Sequence, residues 1–322
     1  MAKAERNRTL ILTPEEATEM QSRLIRLSQA ATAEAIADRT ICQDLMEVLP
    51  LMPQAFADLL IIDPPYNLDK KFGQFETRSQ SDDQYLGYVM SWLPEVLKWL
   101  KPEGSIYVCC DWKSSPVIYQ ALRDCGIVIR NRITWQREKG RGAKDNWKNG
   151  LEDIWYGTKS SSRFYFDVEA VKQRRKVIAP YRTASGEPKD WVETSEGKFR
   201  MTLPSNFWDD ISIPYWSMPE NTDHPTQKPE KLIAKLILAS CPEGGTVADP
   251  FLGSGTTSVT ARKLGRHYLG VEMNPTYACW AEKRLQQALS DKRIQGYADG
   301  VFWERNSRTK AKENHSSNNN HQ

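Results

Sequence analysis

The 322-residue sequence lacks several features that define large classes of protein. It has no run of about 18 consecutive apolar residues, so an ordinary transmembrane helix is not expected. Its first residues contain no apolar signal core, so we do not expect secretion. Its six cysteines include no Cys-x-x-Cys pair and its histidines number only four. We therefore expect free thiols in a reducing cytoplasm, and neither a metal site nor a disulfide framework.

The net charge is small, but the positive charges are unevenly distributed. The formal net charge is +3, while Lys and Arg cluster in residues 130–148 and 172–176. Such clusters suit a polyanionic partner, or they form an ordinary solvated surface. The cations that we select as candidates for contact with a polyanion are Arg137, Lys139, Arg141, Lys144, Arg174 and Arg175.

Apolar runs and helical patterns alternate along much of the chain. Strands are predicted at residues 57–63, 105–110, 127–135, 246–249 and 266–272, with helices at 82–100, 114–125, 227–240 and 254–264. A further helix is predicted to start at Asn274-Pro275, with Asn as N-cap and Pro in the first turn. Strands that alternate with helices indicate an α/β layer fold.

The patterning also divides the chain into segments. Residues 1–39 form a polar lead-in, and residues 40–135 and 224–305 are the two halves of one α/β domain. Residues 136–223 have poor periodicity and contain the basic clusters, so we expect an inserted region of loops and short elements there. Residues 306–322 are polar and are predicted to be disordered.

A glycine-rich segment between a predicted strand and a helix indicates a cofactor site. In Asp249-Pro-Phe-Leu-Gly-Ser-Gly255, the two glycines permit a tight turn and a close approach of ligand to backbone. Glu272 ends the next strand, about twenty residues on, where dinucleotide-binding folds place a ribose-binding carboxylate. The third glycine of that fingerprint is missing and Asp249 would repel a pyrophosphate. A nucleoside with a cationic amine, such as S-adenosylmethionine, fits better; the alternative is a glycine turn with two capping acids.

A second motif, Asp63-Pro-Pro-Tyr66, directly follows the strand predicted at residues 57–63. Pro64 and Pro65 stiffen the backbone and remove two N–H donors, which leaves carbonyl groups as acceptors. The Asp63 carboxylate and the Pro64 carbonyl can accept the two N–H groups of an amino nitrogen, while Tyr66 offers a flat face for stacking. The motif predicts a site that positions an amino group for attack on a sulfonium methyl group. The alternative is a rigid turn at a strand end.

Together with His224-Pro-Thr-Gln-Lys-Pro229, these two motifs resemble those of the amino-methyltransferase family of DNA-modifying enzymes. The catalytic motif precedes the cofactor motif, as in the circularly permuted beta group of that family. The resemblance spans roughly residues 40–290. It implies a Rossmann-like, mixed seven-stranded sheet with helices on both faces, in which residues 136–223 are the target-recognition region.

The resemblance also implies roles for individual residues. Thr226 and Lys228 would lie near the carboxylate of the cofactor, and Phe251 would line its adenosine pocket. Asp44 would contact the adenine amine of the cofactor or cap a helix, and Trp135 would lie near the target base or in the core. The complete set expected to bind S-adenosylmethionine is Asp44, Thr226, Lys228, Asp249, Pro250, Phe251, Gly253, Ser254, Gly255, Thr256, Glu272 and Asn274.

The implied activity is site-specific methylation of the N6 amino group of adenine in double-stranded DNA. The target base would be flipped out of the duplex and stacked on Tyr66, with the basic clusters on the phosphates. The family occurs in bacterial restriction–modification systems and as solitary enzymes. A cognate restriction endonuclease and a second copy of the chain are therefore candidate partners.

Four other functions are compatible with parts of this pattern. N4-cytosine methylation needs the same two donors, but such enzymes more often begin the catalytic motif with Ser where this chain has Asp63. Methylation of RNA or of a protein glutamine is disfavoured by the basic insertion and the permuted order. A catalytically silent DNA-binding protein would bind DNA without methyl transfer. A nicotinamide dehydrogenase is disfavoured by the missing third glycine.

Overall fold

The computed structural model describes residues 6–68, 70–72, 75–77, 79–137, 145–177, 181–195 and 197–304. The predicted disordered tail lies outside these ranges, and so do Lys139, Arg141 and Lys144. No helix among the described residues is long and apolar enough to cross a lipid bilayer.

The described residues form eight α-helices, one short 3-10 helix (Leu49–Leu51) and fifteen strands. The helices are α1 (Pro14–Arg23), α2 (Ala33–Ile36), α3 (Leu45–Val48), α4 (Asp82–Val96), α5 (Ser115–Asp124), α6 (Glu230–Ser240), α7 (Thr256–Lys263) and α8 (Pro275–Gln287). The strands are β1 (Arg39–Cys42), β2 (Ala57–Ile62), β3 (Lys70–Phe72), β4 (Phe75–Thr77), β5 (Leu100–Cys110), β6 (Val128–Gln136), β7 (Leu151–Thr158), β8 (Gln173–Lys176), β9 (Val192–Thr194), β10 (Gly197–Thr202), β11 (Phe207–Trp208), β12 (Thr246–Asp249), β13 (His267–Glu272), β14 (Tyr297–Ala298) and β15 (Val301–Trp303).

The central sheet has the strand order β1-β13-β12-β2-β5-β7-β6-β11. The first five of these strands are parallel, and β7 is antiparallel to both of its neighbours. The last strand, β11, is a two-residue edge strand parallel to β6. The predicted mixed seven-stranded sheet is confirmed, with β11 as a short addition.

Strand β2 shows why both faces of the sheet need helices. Successive side chains of a strand point to opposite faces. Leu60 and Ile62 pack in the cluster that contains α4 and α5, while Leu59 and Ile61 pack in the cluster that contains α6 and α7. A strand covered on both sides is apolar at almost every position, which is the pattern that predicted it.

Strand β7 lies within the segment that the sequence predicts to be an insertion. Its residues, 151–158, pair with β5 and β6 inside the central sheet. The rest of the insertion supplies β8, β9 and β10 to a separate five-stranded sheet of order β14-β15-β8-β10-β9. Its strands β14 and β15 come from residues 297–303, which were assigned to the cofactor half.

Most other predicted elements are present with shifted ends. Helix α4 ends at Val96 and β5 begins at Leu100, so the expected break at residues 101–104 lies inside a strand. Strand β12 has the predicted bounds. The predicted start of α8 is confirmed, because the Asn274 side chain accepts hydrogen bonds from the backbone N–H groups of Thr276 and Tyr277.

Two glycines with the same backbone conformation test how closely α7 and α8 approach. Gly255 has φ +85° and a Cβ atom there would lie 2.5 Å from the Cβ of Ala281, whereas Gly265 has φ +71° and open space around it. Both Gly→Ala substitutions incur the left-handed backbone cost of about 1–2 kcal/mol. Because Gly255→Ala also overpacks, we expect it to lower the free energy of unfolding by about 1–3 kcal/mol more. Urea unfolding measures both, and equal losses would contradict the close helix contact.

Candidate active site

The carboxyl ends of β2, β12 and β13 open on one cavity of about 410 Å³. These strands are neighbours in the sheet, so the loops that follow them meet at one edge. Both predicted motifs line this cavity. The predicted site residues found in its wall are Asp44, Asp63, Pro64, Pro65, Tyr66, Thr226, Lys228, Asp249, Pro250, Phe251, Gly253, Ser254, Thr256, Glu272 and Asn274.

The Asp63 carboxylate is held by two donors and still faces the cavity. Its Oδ1 accepts a hydrogen bond from the Tyr66 hydroxyl at 2.9 Å, and its Oδ2 accepts one from Lys228 Nζ at 2.6 Å. The side chain of Asp63 remains 21% exposed. Each oxygen therefore has a fixed direction and a lone pair left for a further donor.

The two proline carbonyls of the motif differ in their hydrogen bonds. The Pro65 carbonyl accepts a hydrogen bond from the Tyr85 hydroxyl at 3.0 Å. No donor within the described part of the chain bonds to the Pro64 carbonyl. The open backbone acceptor beside Asp63 is thus the one predicted from the sequence.

Lys228 has partners that the sequence did not indicate. Instead of being free to face a cofactor carboxylate, its ammonium group bonds Asp63 and lies 3.3 Å from Glu152 Oε2 and 3.1 Å from the Tyr66 hydroxyl. Burial opposes its charge, but the negative charges of Asp63 and Glu152 outweigh burial and raise the pKa of Lys228. The ammonium group thus lies between two carboxylates of the protein, and its predicted position near the cofactor carboxylate stays a prediction.

Tyr66 is anchored through its hydroxyl group. Burial, followed by the charges of Asp63 and Glu152, raises the pKa of Tyr66 well above its usual value, so the phenol stays neutral. Lys228 Nζ lies 5.3 Å from the centroid of the Tyr66 ring. The ring lines the cavity, and its stacking on a target base stays a prediction.

Glu272 fixes the glycine loop on the other side of the cavity. Its two carboxylate oxygens accept hydrogen bonds from the backbone N–H groups of Gly253 at 2.8 Å and Asn274 at 2.7 Å. Burial raises the pKa of Glu272. Burial also raises the pKa of Asp249 to about 7, although the backbone N–H of Phe251 donates to its Oδ1 at 2.9 Å.

Gly253 and Gly255, the two glycines of the loop, each allow a different part of the protein to approach closely. A Cβ atom on Gly253, which has φ +55°, would lie 3.1 Å from His224 Nε2, so this glycine admits the histidine against the loop. Gly255 does not line the cavity; it lets α7 approach Ala281 of α8. Its predicted contact with the cofactor stays a prediction.

The sequence left two alternative roles for each of Asp44 and Trp135, and the structure shows what surrounds these side chains. Asp44 caps α3 through a 2.8 Å hydrogen bond from the Met46 backbone N–H, and it also lines the cavity, while its contact with the adenine amine of the cofactor stays a prediction. Trp135 is buried and its indole N–H donates to the Ile211 carbonyl at 2.9 Å. It belongs to the core.

Three of the six basic side chains that are predicted to contact a polyanion lie among the described residues, and each of the three has a partner within the protein. Arg137 Nη1 lies 2.5 Å from Glu152 Oε1, and Arg175 Nε lies 3.1 Å from Glu304 Oε1. The guanidinium group of Arg174 lies 4.3 Å from the centroid of one aromatic ring and 4.4 Å from another. Contact of these three side chains with DNA stays a prediction.

Sequence patterns missed several residues of the site. Glu152 was not predicted as a site residue because no strand was predicted at residues 151–158. An acidic residue at the start of an apolar strand would have indicated it. Trp92 and Tyr277 were also missed; they line the cavity together with His224, which begins the predicted motif at residues 224–229. The rings of His224 and Tyr277 are 4.5 Å apart, and Trp92 meets Phe251 edge-on at 5.0 Å.

Comparison with known proteins identifies similar sequences. A family model described as DNA methylase matches residues 57–283. Type II methyltransferase M.HpaI of Haemophilus parainfluenzae is 33% identical over 253 residues, which cover 78% of this chain and 75% of that protein. DNA adenine methyltransferase YhdJ of Escherichia coli is 31% identical over 252 residues, which cover 76% of this chain and 81% of that protein.

Solved structures share the fold. PvuII DNA methyltransferase, described as cytosine-N4-specific, has a TM-score of 0.57 at 18% identity and covers 81% of this chain and 92% of its own. TTHA0409 of Thermus thermophilus, a putative DNA modification methylase complexed with S-adenosylmethionine, has a TM-score of 0.53 at 22% identity, with 84% and 99% covered. At such identities the likeness shows the fold alone.

Removal of the Lys228 charge tests the ion cluster. Lys228→Met leaves Asp63 without a cation and Glu152 with Arg137 alone, so we expect a loss of about 3–5 kcal/mol in the free energy of unfolding. The matched control is Lys98→Met, which removes the exposed ion pair with Glu95 and should change stability by less than about 1 kcal/mol. Chemical denaturation measures both variants. Similar losses would show that Lys228 does not neutralise the cluster.

Proposed function

The chain belongs to the DNA methylase family, and from that premise we propose that it transfers the methyl group of S-adenosylmethionine to N6 of an adenine in double-stranded DNA. The family membership predicted from the sequence motifs is confirmed. One observation carries the proposal: the acceptor pair at residues 63 and 64 and the acids Asp249 and Glu272 line the same cavity. A methyl donor and an amino acceptor can therefore meet there.

The cavity residues fit S-adenosylmethionine chemically. Glu272 keeps lone pairs for the two ribose hydroxyls, and Asp249 provides a carboxylate for the amine. Trp92 and Phe251 provide an aromatic wall for an adenine ring. The volume of about 410 Å³ lies within the usual range for a small-molecule site. When bound, the cofactor supplies a methyl group that is already activated by the sulfonium.

The residues of the acceptor motif orient the amino group. Asp63 and the Pro64 carbonyl accept its two N–H groups, which turns the nitrogen lone pair toward the methyl donor. As the nitrogen–carbon bond forms, the carbon–sulfur bond breaks and its electrons stay on sulfur. The surplus proton on nitrogen passes to Asp63. Lys228 and Tyr66 hold this carboxylate in advance, so little reorganisation is needed during the reaction.

Adenine is favoured over cytosine by two observations. The catalytic motif begins with Asp63, and a relative at 31% identity is named as a DNA adenine methyltransferase. The fold does not discriminate, because a cytosine-N4-specific enzyme shares it. N4-cytosine is thus the second candidate, since its amino group offers the same two donors.

The biological setting follows from the resemblance and the relatives' names. We propose the permuted beta group, because the motif at Asp63 precedes the one at Asp249. Relatives named as Type II methyltransferases support a restriction–modification role, with a cognate endonuclease as partner. A second copy of the chain and a cytoplasmic location complete the proposal. The six cysteines are free thiols in this structure, which fits a reducing compartment.

Methyl transfer to DNA tests the proposal directly through Asp63. Wild-type protein should transfer tritiated methyl groups from S-adenosylmethionine to unmethylated plasmid. Asp63→Asn keeps the shape but removes the charge, so we expect at least about a 100-fold lower kcat. Cofactor affinity, measured by calorimetry, is the control and should be almost unchanged. A fully active variant would refute the assigned role, and an unlabelled plasmid with wild-type protein would refute the function.

Cofactor affinity should depend on pH through Asp249. Its pKa of about 7 means that below this pH the carboxyl group is protonated and must lose its proton to bind the cationic amine. Above about pH 8 the amine itself becomes neutral. We therefore expect the tightest binding between about pH 7 and 8, with Kd rising up to about tenfold per unit as the pH falls below that range. Asp249→Asn should flatten the acidic limb; a wild-type Kd that is constant from about pH 5.5 to 7 would contradict the assignment.

A further inference from the structure

A second carboxylate lies directly behind the acceptor motif. Glu152 of β7 is only 4% exposed. Its Oε1 lies 2.5 Å from Arg137 Nη1, and its Oε2 lies 3.3 Å from both Lys228 Nζ and the Tyr66 hydroxyl. Glu152 therefore contacts both of the groups that hold Asp63.

We propose that Glu152 is a positioning residue for methyl transfer, which acts through Lys228 and Tyr66 to keep the Asp63 carboxylate directed at the amino group. The inference rests on the proposed function. Glu152 itself does not touch the reacting atoms in this account. Its effect reaches them through the Lys228 ammonium group and the Tyr66 hydroxyl.

The hydrogen-bonding capacity of Lys228 supports this role. An ammonium group has three N–H donors. The three oxygens around Lys228 Nζ belong to Asp63 at 2.6 Å, to Tyr66 at 3.1 Å and to Glu152 at 3.3 Å. Without Glu152, one donor would lack an acceptor and the full charge would act on Asp63. Glu152 thus shares the cation and leaves Asp63 a stronger acceptor for the amino group.

The Tyr66 hydroxyl is positioned by the same arrangement. It accepts from Lys228 and has one proton, which can be donated to Asp63 Oδ1 at 2.9 Å or to Glu152 Oε2 at 3.3 Å. The two carboxylates lie on either side of this hydroxyl and fix the end of the ring. Because the ring lines the cavity, its orientation matters for whichever base enters.

The sheet itself holds Glu152 in place. Glu152 pairs with Trp135 across the antiparallel strands β6 and β7. Arg137 follows directly after β6, and its backbone N–H bonds to the Gly150 carbonyl at 2.7 Å. The guanidinium group of Arg137 is thereby kept beside Glu152. The carboxylates of Asp63 and Glu152 and the cations of Arg137 and Lys228 form a cluster with no net charge. The two cations offset the energetic cost of burying the Glu152 carboxylate.

The adjacent residue provides a matched control. Asp153 is also buried in β7 but bonds a different set of groups, the hydroxyls of Ser115 at 2.8 Å and Thr134 at 2.9 Å. Glu152→Gln and Asp153→Asn each neutralise one buried carboxylate at neighbouring positions of the same strand. Only the first alters the surroundings of Asp63.

The experiment compares single-turnover methyl transfer to plasmid DNA at saturating S-adenosylmethionine and DNA, with cofactor Kd and thermal unfolding measured in parallel. We expect Glu152→Gln to slow transfer at least about tenfold, since small misplacements of a reacting group have such effects. Its cofactor Kd should stay almost unchanged. Asp153→Asn should keep the wild-type rate even if its unfolding temperature falls.

A double variant tests whether Glu152 acts through Lys228. If it does, Lys228→Met already removes one of its two connections to Asp63, so Glu152→Gln should slow the Lys228→Met protein by a smaller factor than it slows the wild type. Rate losses that multiply would overturn the proposal. So would a wild-type rate in Glu152→Gln, or equal slowing by Asp153→Asn. A wild-type protein that methylates no DNA would instead overturn the proposed function, and this role with it.

Discussion

The buried ammonium group of Lys228 lies between the carboxylates of Asp63 and Glu152, 2.6 Å from the first and 3.3 Å from the second. These three side chains come from the loop before α6, the end of β2 and the start of β7. A buried ammonium group needs carboxylates close to it, so the cluster ties these three segments to one another. The cavity is bounded by the segments that this cluster brings together. The ion cluster therefore connects the packing of these segments to the geometry of the proposed acceptor site.

The sheet topology places the residues predicted to bind the cofactor beside this ion cluster. Strand β12 pairs with β2 on one side and β13 on the other, so Asp249 and Glu272 emerge next to Asp63 although they are distant in sequence. Glu272 then ties down the glycine loop through the Gly253 backbone N–H. The order of the motifs along the chain does not matter for this arrangement, because neighbouring strands bring them together in either order. Cofactor and substrate can thus share one cavity.

The sequence predicted those features whose physical cause is local. An apolar run ended by an acid and followed by glycines located β12, and the pair Asn274-Pro275 located the start of α8. Strand β7 was not predicted because the adjacent acids Glu152 and Asp153 interrupt its apolar pattern. Those acids are stable in the sheet only because Arg137, Lys228 and hydroxyl groups from other elements meet them.

Two contacts at the site could not be predicted from the sequence, for the same reason. A glycine that admits a ligand and one that admits a helix look identical in sequence, so the packing role of Gly255 became visible only with α8 beside it. The contact of Lys228 with Glu152 could not be predicted, because Glu152 belongs to a segment with no predicted strand. Both contacts join segments that are distant in sequence, so neither could be predicted from a local pattern.

The account depends on one chemical outcome, the identity of the atom that is methylated. The direct measurement is to incubate the protein with unmethylated plasmid DNA and S-adenosylmethionine, digest the DNA to nucleosides and analyse them by mass spectrometry. The account predicts N6-methyldeoxyadenosine. N4-methyldeoxycytidine would contradict the choice of base while leaving the acceptor geometry intact. Absence of any methylated nucleoside, with cofactor binding retained, would contradict the assignment of DNA as the substrate.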